Sequence, residues 1–131
     1  MKSSTEEWLK AANDDLEVIA HIISESSLTN MVAFHAQQCV EKVLKALLEE
    51  HEIDTPKIHR LVTLYGKVES LISIKIELSL LQTLDSLYID ARYPGELGLL
   101  PNGRPSVAEA QQFYNFVRTV YENVGGSLQR H

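Results

Sequence analysis

Residues 34–48 read Phe-His-Ala-Gln-Gln-Cys-Val-Glu-Lys-Val-Leu-Lys-Ala-Leu-Leu, and this stretch constrains the fold more than any other. At about 100° per residue, Ala36, Val40, Val43, Leu44 and Leu47 fall on one broad apolar arc. His35, Gln38, Glu41, Lys42, Lys45 and Glu49 fall on the opposite arc. A helix built this way must bury its apolar arc against other elements. Its polar arc is either an ordinary solvated face or a working surface, and the spacing alone favours the solvated face. Glu41 and Lys45 stand at i, i+4 with the acid first, the better orientation for a surface pair, worth a few tenths of a kcal/mol. Gln38 and Lys42 lie on the same side. Two lysines beside amides are also able to hold a phosphate or an acidic partner helix.

The rest of the chain repeats the helical pattern. Ser4 and Glu7 have capping-box spacing, and Trp8, Ala12, Leu16, Ile19 and Ile23 then recur helically to about residue 26. Ser26-Ser27 and Thr29-Asn30 break and recap the chain into a second helix over about 29–51. Thr55 followed by Pro56 predicts the start of a third helix, which Ile58, Leu61, Val62, Tyr65 and Val68 continue. Ile72, Ile74 and Ile76 alternate as a strand would, but they lead into helically spaced Leu80, Leu81, Leu84, Leu87, Tyr88 and Ala91, so they read as a turn. Pro94 ends that fourth helix. Residues 93–106 are irregular, long for a loop within one domain. Their Leu97, Leu99 and Leu100 are expected to fold back on the bundle or meet a partner. Ser106 and Glu109 repeat the capping-box spacing, and Ala110, Phe113, Tyr114, Val117, Val120, Tyr121 and Val124 form the most regular stripe. Gly125-Gly126 is expected to end the fifth helix. The fold predicted is all-α: an up-and-down bundle of four long helices and one short one. It forms a single domain over 1–131, with its core at about 5–124 and a loose tail at 125–131.

Composition excludes several function classes. A chain of 131 residues can remove roughly two thirds of its unfolded surface from water. Eighteen acidic against twelve basic residues give a net charge of −6, without the basic footprint of non-specific nucleic-acid binding. One cysteine, Cys39, builds no disulfide framework. No apolar signal segment follows Met1, and the apolar runs stop short of membrane-spanning length. A cytoplasmic protein is therefore expected. His21, His35, His51 and His131 show no metal-ligand spacing with one another or with Cys39. There is no glycine-rich phosphate loop and no nucleophile elbow. Neither metal nor cofactor is expected. Adjacent carboxylates such as Asp14-Asp15 diverge on a helix.

Two places carry recognisable chemistry besides the polar arc. Asp85, Tyr88 and Arg92 share one stripe, and Arg92 runs into Tyr93-Pro94-Gly95. An arginine there complements the helix dipole; a guanidinium beside an aspartate and two tyrosines also suits an anion or a stacked base. His59 stands at the predicted opening of the third helix, where packing or capping is its commoner role.

Taken in order, Phe34-His35-Ala36-Gln37-Gln38-x-x-Glu41-Lys42-x-x-Lys45-Ala46-Leu47-Leu48, Ile58-His59-x-Leu61 and Tyr88-x-x-Ala91-Arg92-Tyr93-Pro94-Gly95 resemble the HEPN family (higher eukaryotes and prokaryotes nucleotide-binding). Ala12-x-Asp14-Asp15-Leu16 fits as well. The resemblance covers about residues 5–124. It implies a dimeric helical bundle similar to the helical domain of kanamycin nucleotidyltransferase. Many prokaryotic members pair with a small nucleotidyltransferase in a two-component, often toxin–antitoxin, module. A nucleotide or that partner would then meet Gln38, Glu41, Lys42, Lys45, His59, Asp85, Tyr88, Arg92 and Tyr93. Other members are metal-independent RNases with an Arg-x4–6-His motif. Tyr93-Pro94-Gly95-Glu96-Leu97-Gly98-Leu99 follows Arg92 without a histidine, and Arg60, Arg104 and Arg118 have none at that spacing. An RNase would need His59 and Arg92 to meet across helices. Arg60 also stands where many relatives have an acidic residue.

Overall fold

In the computed structural model, residues 1–92 and 104–129 are described, with the side chains of 89–92 left aside. Five α-helices run in order: α1 (Ser3–Ile22), α2 (Thr29–Glu50), α3 (Leu61–Val68), α4 (Leu78–Arg92) and α5 (Val107–Gln129). Single 3-10 turns lie at Ser26–Leu28 and Glu69–Leu71. No strand occurs among the described residues. The all-α bundle read from the helical spacing is the fold observed. No described helix is long and apolar enough to cross a membrane.

Helix α2 is the axis of the molecule and packs against α1, α3, α4 and α5. Not one of its 22 residues is exposed. Val32, Ala33, Ala36, Val40, Val43, Leu44 and Leu48 are sealed within one core together with Ile19, Leu61, Leu81, Phe113 and Val117.

The α1–α2 pair is tied at one end by charge. Glu49 and Glu50 sit at the C-terminal end of α2, where a carboxylate opposes the helix dipole. The N-terminus of α1 lies beside them and supplies donors. Ser4 Oγ donates to Glu49 at 3.1 Å. Thr5 Oγ1 and the Lys2 backbone N–H both donate to Glu50 Oε1 at 3.0 Å.

Four boundaries differ from the sequence reading. The Ser4–Glu7 box does not form: α1 starts at Ser3, Lys2 takes the cap position, and the Ser4 hydroxyl is drawn to Glu49. The helix also stops at Ile22 rather than at about 26. The third helix starts at Leu61, not at Thr55-Pro56. Thr55 Oγ1 donates to Glu49 at 3.0 Å instead of capping, and Arg60 is extended, at φ −72° and ψ 118°. Gly125-Gly126 does not end α5, which runs on to Gln129 so that Val124 and Leu128 are both buried. The Ser106–Glu109 box does form: Ser106 N–H donates to Glu109 Oε1 at 2.9 Å, and Glu109 N–H to Ser106 Oγ at 3.0 Å.

A β-carbon added at Gly125 would meet no atom within 4 Å. Glycine inside a helix costs roughly 0.5–1 kcal/mol relative to alanine. Gly125→Ala is therefore expected to raise the urea midpoint by an equivalent of about 0.5–1 kcal/mol with an unchanged m-value.

Candidate functional site

The polar arc of α2 is not a solvated face. Glu41 and Lys45 form an ion pair at 3.0 Å, with side chains only 6% and 7% exposed. This corrects the reading of a weak surface pair, and the reason is the enclosure of α2. Trp8 from α1 covers Lys45, whose Nζ lies 5.5 Å from the indole centroid. Lys42 reaches across to α1, donating to Asp15 Oδ2 at 2.7 Å, and His35 Nδ1 lies 2.8 Å from Asp15 Oδ1. Asp15 is buried and Asp14 exposed, so the adjacent carboxylates do diverge.

On the other flank, Glu41 faces His59. The ring Nδ1 lies 3.2 and 3.1 Å from the two Glu41 oxygens. Gln38 Nε2 donates to Gln37 Oε1 at 2.8 Å and to Glu41 Oε1 at 3.3 Å. Gln37, wholly buried, donates through Nε2 to the His59 carbonyl at 2.6 Å. His59 belongs to the extended segment before α3 rather than to the helix, and its side chain is 52% exposed. Tyr88 from α4 lies behind it, with ring centroids 6.1 Å apart, and stacks on Phe34 at 5.5 Å.

Asp85 is committed to α3. Its Oδ1 accepts from Leu61 N–H at 2.8 Å and its Oδ2 from Val62 N–H at 3.2 Å. The cap that starts α3 thus comes from α4, 24 residues on from Leu61. Arg92 is the last residue of α4; its side chain, Tyr93 and the segment 93–103 lie outside the described residues. Among the described site residues, the structure gathers Gln38, Glu41, Lys45, His59 and Tyr88 into one corner. It turns Lys42 toward Asp15 and Asp85 toward α3.

Among the described residues no group of three or more His, Cys, Asp or Glu could hold a metal. Cys39 is fully buried, and burial, with the nearby charge of Asp15, pushes its thiol well up despite the opposing Lys42. A thiol so held is a poor nucleophile.

A family model described as HEPN domain matches residues 5–127. The chain belongs to the HEPN family. No curated protein and no solved structure matches it. Of the three motif segments quoted from the sequence, residues 34–48 lie on α2, Ile58-His59 at the approach to α3 and Tyr88 on α4, so this HEPN domain brings Gln38, Glu41, His59 and Tyr88 to one corner beside the central helix.

Sequence reasoning left Asp15, Gln37 and His35 of the network out of the site, although it set His35 on the polar arc. Asp15 stands on the apolar stripe of α1, between Ala12 and Leu16, and Gln37 stands on the apolar arc of α2 with Ala33 and Val40. A polar residue inside an apolar stripe is itself a sign of a buried hydrogen-bond partner.

Losing the Asp85 carboxylate strands two backbone donors. Asp85→Ala is expected to lower stability by about 1–2 kcal/mol in chemical denaturation, and to raise amide exchange at Leu61 and Val62 before the rest of the core.

Proposed function

We propose that this HEPN chain is a non-catalytic binding module. It forms the helical half of a two-component, toxin–antitoxin-like system whose other half is a small nucleotidyltransferase, and it acts in the cytoplasm as a homodimer. Its recognition face is the corner of Gln38, His59 and Tyr88, to which the sequence motif adds Arg92 and Tyr93, and the small ligand is a nucleotide. One observation carries this reading. Lys42 and Lys45 already hold Asp15 and Glu41, while His59 is anchored by α2 and half exposed. The corner therefore offers a fixed aromatic and hydrogen-bonding surface, and the phosphates are assigned to Arg92 on its place in the sequence motif at the end of α4. Calorimetric titration with ATP and GTP tests it. Binding in the micromolar to millimolar range is expected, weakened at least tenfold by His59→Ala or Arg92→Ala. No heat with wild type at millimolar nucleotide removes the nucleotide half. The partner half predicts a neighbouring reading frame with a Gly-Ser…Asp-x-Asp signature, whose product copurifies with this chain.

A second reading is a metal-independent RNase with His59 as acid–base and Arg92 stabilising the transition state. The Glu41 contact at Nδ1 favours it, since a carboxylate there orients a catalytic imidazole. The missing histidine after Arg92 counts against it. Total RNA incubated with excess protein and EDTA is expected to stay intact; cleavage that His59→Ala abolishes would establish the RNase instead.

A further inference from the structure

His59 is held in two places at once. Its ring rests on Glu41 and its backbone carbonyl accepts from Gln37. Gln38 joins these two grips, donating to both Gln37 and Glu41. Lys45 also holds the carboxylate, at 3.0 Å from Oε2. A carboxylate can only accept, so the nitrogen facing it must donate. Nδ1 therefore carries the hydrogen, and in the neutral ring Nε2 is left as a lone-pair acceptor. Among the described residues Nε2 has no partner, and the ring is half exposed.

We propose that Glu41, with Gln37 and Gln38 as positioning residues, locks His59 in the Nδ1–H tautomer. Nε2 then becomes a fixed hydrogen-bond acceptor that selects a donor group. Resting on the reading of this corner as a nucleotide site, the donor is the exocyclic amine of a nucleobase rather than any part of the phosphate. Gln37 matters because a rigid ring on a mobile backbone would not aim its lone pair. Buried and donating to the His59 carbonyl, it ties the segment before α3 to the central helix.

Imidazole nitrogen NMR on the full chain, at a pH of about 8.5 where an ordinary histidine is neutral, reads the tautomer without any ligand. Wild type is expected to show a protonated Nδ1 and an unprotonated Nε2. The reverse assignment overturns the proposal outright. Gln37→Met keeps the side-chain volume and removes the donor. It is expected to average the two nitrogen signals while the helical circular dichroism stays unchanged; an unchanged tautomer removes Gln37 from the positioning role. Adenosine and inorganic pyrophosphate then separate ligand chemistry. Adenosine is expected to shift Nε2 and pyrophosphate to leave it alone. A shift with pyrophosphate equal to that with adenosine overturns donor selection. Silence with adenosine overturns the nucleobase assignment while the ligand-free tautomer result stands.

Discussion

Helix α2 carries Glu41, Lys42 and Lys45 yet leaves no residue exposed, so each of these charges must meet its counter-charge inside the bundle. An unpaired ion in such a place costs several kcal/mol, and a paired one is tolerated only with good geometry and further hydrogen bonds. The structure meets this demand twice. Asp15 arrives from α1 to take Lys42 and His35, and Glu41 takes Lys45 within the helix. The packing of α1 against α2 is thereby fixed in register as well as in apolar contact.

The same demand produces the His59 corner. Glu41 still has acceptor capacity after pairing with Lys45, and His59 and Gln38 fill it. A histidine that would otherwise swing on an extended segment is held against the central helix. The segment before α3 gains a second anchor where Asp85 takes the first two amides of that helix. Structural neutralisation and presentation of His59 are one network.

Much of this was legible in the sequence. Five apolar stripes at helical spacing gave five helices, and the Ser106–Glu109 box sits where its spacing put it. The order of the α2, His59 and Arg92 motifs pointed to the family, and of the residues they carry Gln38, Glu41, Lys45, His59 and Tyr88 meet in one corner. What stayed hidden depends on which elements touch. Thr55-Pro56 is a sound local start signal, but Glu49 takes the threonine hydroxyl and Asp85 supplies the cap farther on. Gly125-Gly126 reads as a stop, yet burial of Leu128 carries the helix through. The polar arc of α2 reads as surface because periodicity reports two faces and cannot report that both are covered. Asp15 and Gln37 were hidden for the opposite reason, being polar residues on the buried side.

The claim that Glu41 and Lys45 of α2 form a buried pair rather than a surface one is tested most directly by a double-mutant cycle on these two residues in chemical denaturation. Lys45→Met alone leaves the buried carboxylate without its lysine, with only His59 and Gln38 beside it, and is expected to cost about 3 kcal/mol. The Glu41→Gln/Lys45→Met pair is expected to recover at least 1 kcal/mol relative to the sum of the single changes. Single changes that cost under about 0.5 kcal/mol each and simply add would be the behaviour of a solvated surface pair, and would contradict the account.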